Sequence, residues 1–286
     1  MIKVVRENNI VDGIGAMMLR KFDAMTYAEM KDIPFVDKPL TNFMIHPSDK
    51  IYTQSQKIQF LNKFTNLYKI QDKWIDYQNL EDSEIEDAFD TSGNLVIMSP
   101  AAHVEYCIKK FINIEYKENN NIVFHVRRSN VIQDNWRWID ETEYIDIIKN
   151  HLDILISKFR IFNPNIIILT DSVKNQNAYN PIGVIGGKEW WKWNQEWLVP
   201  DKDGKFPLTS IDFDLIKKEL PHVQVISDMD TFDSLMLMAN AKVLFQSRSA
   251  FSRLGGILSK NIVIHRKETS ENFKGSFTWD GQGIYL

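Results

Sequence analysis

The second half of the chain alternates short apolar runs with helical stretches in a rhythm that few architectures accommodate. Residues 122–126 read as a strand, 165–169 is apolar almost throughout, and 223–226, 243–245 and 262–264 are further short apolar runs. Helical patterns fill the intervals at 142–159, 211–219, 230–240 and 249–259. In the first of these, Ile145, Ile148, Leu152, Leu155 and Phe159 recur at helical spacing. A strand that is apolar at successive positions needs cover on both faces, which is the situation of a parallel sheet. Regular alternation of strand and helix therefore predicts an α/β fold with a doubly wound sheet.

The first half repeats the theme less clearly. Residues 2–6 form a short β-like run, 13–15 read Gly-Ile-Gly, and 16–31 carry a helical pattern with Met17, Met18, Phe22 and Met25. A strand is expected at 33–36. A helix at 49–65 would place Ile58, Leu61 and Phe64 on one stripe, and 94–98 is another strand candidate. Pro100 opens a helix running to about Ile114, since proline is favoured in a first turn. A chain of 286 residues is long for one core and fits two domains. The polar run KENNN at 117–121 divides them, giving an N-terminal α/β domain at 1–118 and a C-terminal Rossmann-like domain at 119–286.

Composition removes several classes. With a net charge of −4 and no long basic block, the chain lacks the footprint of a nucleic-acid binder. Its single cysteine, Cys107, allows no intrachain disulfide. No apolar run approaches 18 residues and polar residues follow Met1 almost at once, so neither a membrane span nor a leader is expected, and the cytoplasm is the expected compartment. The histidines show no metal-ligand spacing, and the DxD letters at 201–203 and 228–230 read as a loop or helix start, so no essential metal is expected. Neither GxxxxGK[ST] nor GxGxxG occurs.

Three stretches carry chemistry. At 124–130, FHVRRSN, an apolar strand ends abruptly in Arg127 and Arg128. Charge at a strand's carboxyl end lies in the crevice where α/β sheets bind ligands. A guanidinium can give two parallel hydrogen bonds to phosphate oxygens. Side chains alternate along a strand, so the two arginines take different jobs if the strand continues through them. At 245–256, FQSRSAFSRLGG, a strand gives way to a helix through Ser247, Arg248, Ser249, Ala250, Phe251 and Ser252. Hydroxyl residues at such a start either cap the helix or, with its amide groups, bind an anion. At 12–16, DGIGA, Asp12, Gly13 and Gly15 sit between a strand and a helix, where glycine lets a backbone approach a ligand.

Together these stretches resemble the α1,2-, α1,6- and protein O-fucosyltransferase superfamily. His125 to Asn130 resembles its HxRRxD signature with Asn130 in the Asp position, and the fit to the α1,6 enzymes runs ungapped to Glu143-Tyr144. The serine segment resembles the family's S-x-S-S-F-S, residues 233–241 its D-x-x-x-h-x-x-A/C helix headed by Asp233, and 12–16 its GGLGNQ-type loop with Ala16 replacing Asn. Asp171, after Thr170, matches the family's T/S-D strand ending.

The resemblance implies a GT-B fold, two Rossmann-like domains facing across a cleft, with the acceptor on the N-terminal side and the nucleotide-sugar donor on the C-terminal side. It implies an inverting, metal-independent transferase moving a sugar, GDP-fucose first, to a glycan hydroxyl. Arg127 and Arg128 would stabilise the leaving diphosphate. His125, Asp171, Asp233, Gly13, Gly15 and residues 247–252 would complete the donor site. The family's catalytic Glu position falls on Asn135, which cannot accept a proton. Asp134 beside it is the first candidate base and Asp12 the second, followed by Glu141 and Glu143, both expected to face solvent. Trp136 and Trp138 are the expected acceptor platform, and Trp190, Trp193 and Trp197 form an aromatic stripe read first as helix packing. The departures at Ala16, Asn130 and Asn135 keep open a UDP-sugar donor such as UDP-xylose, and a non-catalytic nucleotide- or glycan-binding protein.

Overall fold

A computed structural model describes residues 4–6, 13–37, 40, 53–72, 74–76, 85–87, 107–127, 139–170, 213–227, 229–267, 277–279 and 284–285. The chain divides into two compact units, with a break between Glu115 and Tyr116.

In the first unit, β1 (Val4–Arg6) pairs in parallel with β4 (Ile85–Asp87), and β2 (Val36–Asp37) with β3 (Ile75–Asp76). Helix α1 (Ile14–Lys31) begins two residues earlier than the glycine pattern suggests. Gly13 is its N-cap at φ −58, and Gly15 is a buried helical residue rather than part of a turn. Neither therefore uses glycine's access to positive φ. The helix buries Met18, Phe22 and Met25. It also buries Lys21 completely, and the ammonium is held 2.6 Å from Asp37 Oδ1, which also accepts from Tyr68 Oη at 3.1 Å. A buried charge persists only when paired in this way.

Helix α2 (Gln54–Thr65) starts later than the expected 49 because Thr53 and Gln56 close a capping box. Its buried face is Phe60, Leu61 and Phe64. Ile58, expected on that stripe, is 52% exposed. Residues 107–111 are helical, and Tyr68 bridges Ile112. The expected strand at 94–98 and the helix start at Pro100 lie outside the described residues.

The second unit is built on β5 (Asn121–Val126), β6 (Asn165–Thr170), β7 (Gln224–Ile226), β8 (Val243–Phe245), β9 (Ile262–Arg266), β10 (Phe277–Trp279) and β11 (Ile284–Tyr285). Their order across the sheet is β11-β10-β9-β8-β5-β6-β7, with β11 antiparallel and the other six parallel. Renumbered from β5, that is 3-2-1-4-5-6 with an added edge strand, the Rossmann order. The chain runs outward from β5 to β7, then returns to place β8 on the other side of β5. Strands β5 and β8 therefore flank the point where the winding reverses.

Helices cover both faces. Ile122, Phe124 and Val126 share a core with α3 (Glu141–Asp146), a π turn at Ile147–His151, α4 (Leu152–Lys158) and α5 (Asp214–Glu219). The π turn, one residue wider than α winding, lets Tyr144, Ile147, Ile148, Leu152 and Leu155 all reach this core. Ile145 and Phe159, expected centrally, are only partly buried. Glu141 does not simply face solvent: its Oε2 accepts from Ile216 N at 3.2 Å and caps the start of α5.

Helix α6 (Thr231–Asn240) follows β7, and α7 (Ala250–Leu258) follows β8. A Cβ on Gly256 would overlap Gln246 Nε2 and touch Val263 at 3.2 Å, so α7 lies close on the face opposite the α3–α5 core. A Cβ on Gly255 would come within 2.9 Å of Met238 Cβ on α6. Two consecutive glycines thus allow one helix to approach both a sheet and a neighbouring helix.

Candidate functional site

The strand alternation of β5 sorts the residues of its last turn. Phe124 and Val126 enter the core with α3–α5, which sends His125 to the face that carries α7. Arg127, the next residue of the same parity, leaves the strand end on that side. It meets the loop after β8, the neighbouring strand across the winding reversal. His125 Nδ1 lies 2.7 Å from Ser247 Oγ, and Arg127 Nη1 donates to Ser249 Oγ at 3.1 Å. Both bonds join residues 122 positions apart in sequence.

Ser249 is the N-cap of α7. Its Oγ accepts from Phe251 N at 3.2 Å as well as from Arg127. With both lone pairs engaged, the hydroxyl keeps one proton to donate. The partial positive charge of the helix start adds to the Arg127 guanidinium. Ser252 is completely buried. Its hydroxyl donates to Ser247 O at 2.9 Å and Ser249 O at 3.1 Å, and its oxygen stands 3.4 Å from Ser247 Oγ. Phe251 is half-buried with its ring centroid 6.1 Å from that of His125, and Ala250 is exposed.

A second cationic group sits at the same edge of the sheet. Arg266 ends β9, and its Nη2 lies 2.9 Å from Glu143 Oε2, with the guanidinium 5.5 Å from the Trp279 ring. Glu143, expected in solvent, is instead half-buried and ion-paired. Burial, followed by the neighbouring Arg266, lowers the pKa of Arg248, while Glu143 and Tyr144 oppose the shift. Arg266 was not among the residues singled out from sequence. The rule that pointed to Arg127, charge at a strand's carboxyl end, reaches it once β9 is extended two residues past 264.

His265, one residue earlier, is 2% exposed. Burial and then Arg253 lower its pKa to about 4. Unfolded histidine titrates near pH ~6.5, so between there and about pH 4 the unfolded chain binds a proton that the folded chain does not. Stability is expected to fall as pH drops through that window, by at most about 3–4 kcal/mol at roughly 1.4 kcal/mol per pKa unit. Urea midpoints measured at roughly pH 7.5 and roughly pH 5 test this. The drop between them should be larger in the native protein than in His265→Gln, and equal drops would contradict it.

The other sequence candidates are distributed as follows. Asp233 is exposed in the first turn of α6, whose cap is Asp230; Asp230 Oδ1 accepts from Phe232 N at 3.0 Å and Asp233 N at 3.4 Å. That turn follows β7, two strands from β5. Gly13 and Gly15 belong to the first unit, and a Cβ on Gly13 would meet nothing within 4 Å. Asp12, Arg128, Asn130, Asp134, Asn135, Trp136, Trp138, Asp171 and the Trp190–Trp193–Trp197 stripe lie outside the described residues. Among the described residues there is no group of three or more metal-ligating side chains, and no helix is long and apolar enough to cross a membrane.

No protein-family profile matches the sequence, and a search of curated proteins returns no relative. Solved structures give loose likenesses. Fucosyltransferase NodZ from Bradyrhizobium has 11% identity and a TM-score of 0.40, over 93% of this chain and 96% of that one. Escherichia coli heptosyltransferase WaaC has 10% identity and a TM-score of 0.35, over 97% and 92%. Methanocaldococcus jannaschii UDP-GlcNAc 2-epimerase has 14% identity and a TM-score of 0.30, over 99% and 66%. Overlaps this loose transfer no residue role or activity to the present chain.

Proposed function

We propose that the second unit binds the diphosphate of a nucleotide at the carboxyl ends of β5 and β8. More particularly, we read the chain as a GT-B glycosyltransferase of the fucosyltransferase type, inverting and metal-independent, with GDP-fucose as first-choice donor and a glycan hydroxyl as acceptor. The observation that carries this reading is the convergence of Arg127, Ser249 and the α7 start at the winding reversal of a Rossmann-ordered sheet. That crevice is where such sheets take nucleotides. In a dinucleotide-binding sheet the first strand is followed by a glycine-rich turn. Here β5 is followed by arginines, so fixed cations meet the phosphates.

In this reading Arg127, Arg128 and the Ser249 hydroxyl neutralise charge developing on the departing diphosphate, which lowers the barrier only if they are already in place. His125, which is held by Ser247, completes the donor set together with Arg248, Phe251, Asp171 and Asp233, and Gly13 and Gly15 are assigned to donor binding as well. Asp134, or else Asp12, takes the acceptor proton, and Trp136 and Trp138 stack on the acceptor sugar. The departures at Ala16, Asn130 and Asn135 are the ground for a second reading, with the same chemistry and a UDP-sugar such as UDP-xylose.

Thermal shift against GDP, UDP and their sugar conjugates separates these readings, since a ligand at about 100 times its Kd adds about 2.7 kcal/mol to apparent stability. GDP is expected to raise the melting temperature more than UDP; the reverse order selects the second reading. No shift with any nucleoside diphosphate removes the donor site altogether. Binding without transfer or hydrolysis would instead favour a nucleotide-binding protein that performs no chemistry.

A further inference from the structure

We propose that Ser252 is a positioning residue that touches no phosphate itself and fixes the β8–α7 turn so that Ser247 and Ser249 meet His125 and Arg127. This rests on the donor-site reading above. The hydroxyl is 0% exposed, so no ligand in the crevice reaches it without moving α7. Its single proton is shared between two carbonyls of one turn, Ser247 O at 2.9 Å and Ser249 O at 3.1 Å.

Neither carbonyl depends on it for a partner. Ser247 O also accepts from Ser249 N at 2.9 Å, and Ser249 O from Arg253 N at 3.0 Å. Removing the Ser252 hydroxyl therefore strands no buried acceptor, and the bond is redundant for satisfying the backbone. Geometry is what it adds. By holding two carbonyls two residues apart, it sets the turn between them, and that turn carries both hydroxyls at the site. The Ser252 oxygen also stands 3.4 Å from Ser247 Oγ, on the hydroxyl that His125 Nδ1 meets at 2.7 Å. One buried side chain thus governs the placement of Ser247 against His125 and of Ser249 beside Arg127.

The test measures affinity for GDP and UDP by calorimetry, alongside melting temperature, in the full chain and four variants, Arg127→Ala among them. Ser252→Ala is expected to bind about tenfold more weakly, roughly 1.4 kcal/mol, with little change in melting temperature. Ser252→Cys, which keeps a weak donor, should recover part of the loss. Ser259→Ala is the control. It removes one hydroxyl at the other end of the same helix, where Asn261 N donates to Ser259 Oγ at 3.1 Å, and affinity should stay unchanged.

Native affinity in Ser252→Ala overturns the proposal, as do losses in Ser252→Ala and Ser259→Ala that merely track their melting temperatures. If the native protein binds while Arg127→Ala does not, and Ser252→Ala matches native, this inference alone has failed. If the native protein binds no nucleoside diphosphate, the donor-site reading has failed and takes this one with it.

Discussion

Arg127→Ala is expected to weaken binding of nucleoside diphosphates by about a hundredfold or more, about 2.8 kcal/mol at roughly 1.4 kcal/mol per tenfold. A charge-assisted bond to a phosphate oxygen, made from a half-buried position, is worth about that much, and truncation also leaves the anion facing fewer positive charges. Ser249 Oγ would lose one of its two donors, which frees the hydroxyl to rotate away from the ligand. Arg127→Lys should fall between, because an ammonium keeps the charge and loses the planar fork. The melting temperature of the unliganded protein should move little, since Arg127 stands outside the apolar core. Calorimetric titration decides the matter. An unchanged Kd in Arg127→Ala would mean that the guanidinium serves only to hold the turn.

The largest effect on stability is expected at Trp279. It lies on β10 with no exposure, its ring centroid 5.8 Å from that of Tyr144 and 6.1 Å from that of Phe245. Phe245 in turn stacks on Phe124 at 4.0 Å, so one aromatic cluster ties β10, β8, β5 and α3 together. Trp279→Ala removes the largest fully buried side chain among the described residues and should cost about 3–5 kcal/mol. Trp279→Phe should cost much less, because it keeps a ring and deletes an indole N–H that is buried with no hydrogen-bond partner among the described residues. Urea unfolding of both variants tests the order. A loss in Trp279→Ala below about 1 kcal/mol would show that the cluster can collapse around the space.

The fold of the second unit was legible because its strands are unambiguous. Asn165–Thr170 is apolar almost throughout, and its shortness and three consecutive isoleucines favour a buried strand over a buried helix. What sequence could not supply was the spatial order. Nothing in residues 122–126 or 243–245 says that these strands are neighbours, yet that adjacency brings Arg127 to Ser249. The misreadings have local causes. Glycines at 13 and 15 suggested a loop, whereas Gly15 lies inside α1. The π turn at Ile147–His151 carries an extra residue that a uniform helical period cannot anticipate, so a stripe through Ile145 and Phe159 missed Tyr144 and Ile147. Glu141 and Glu143 looked solvent-facing because charge on a helix usually is. Their partners, Ile216 N and Arg266, come from elements 75 and more residues away.

The two bonds that close the candidate site span 122 residues of chain. During synthesis, His125 and Arg127 therefore emerge long before the serines they meet. A nascent chain released before Ser249 would hold a nearly complete run of sheet from β5 to β8 with half of the proposed anion grip, and under that proposal nucleotide could not protect it from proteolysis. Protection should appear only once α7 has been made and docked, so ligand would act on the last stage of maturation and leave the first untouched.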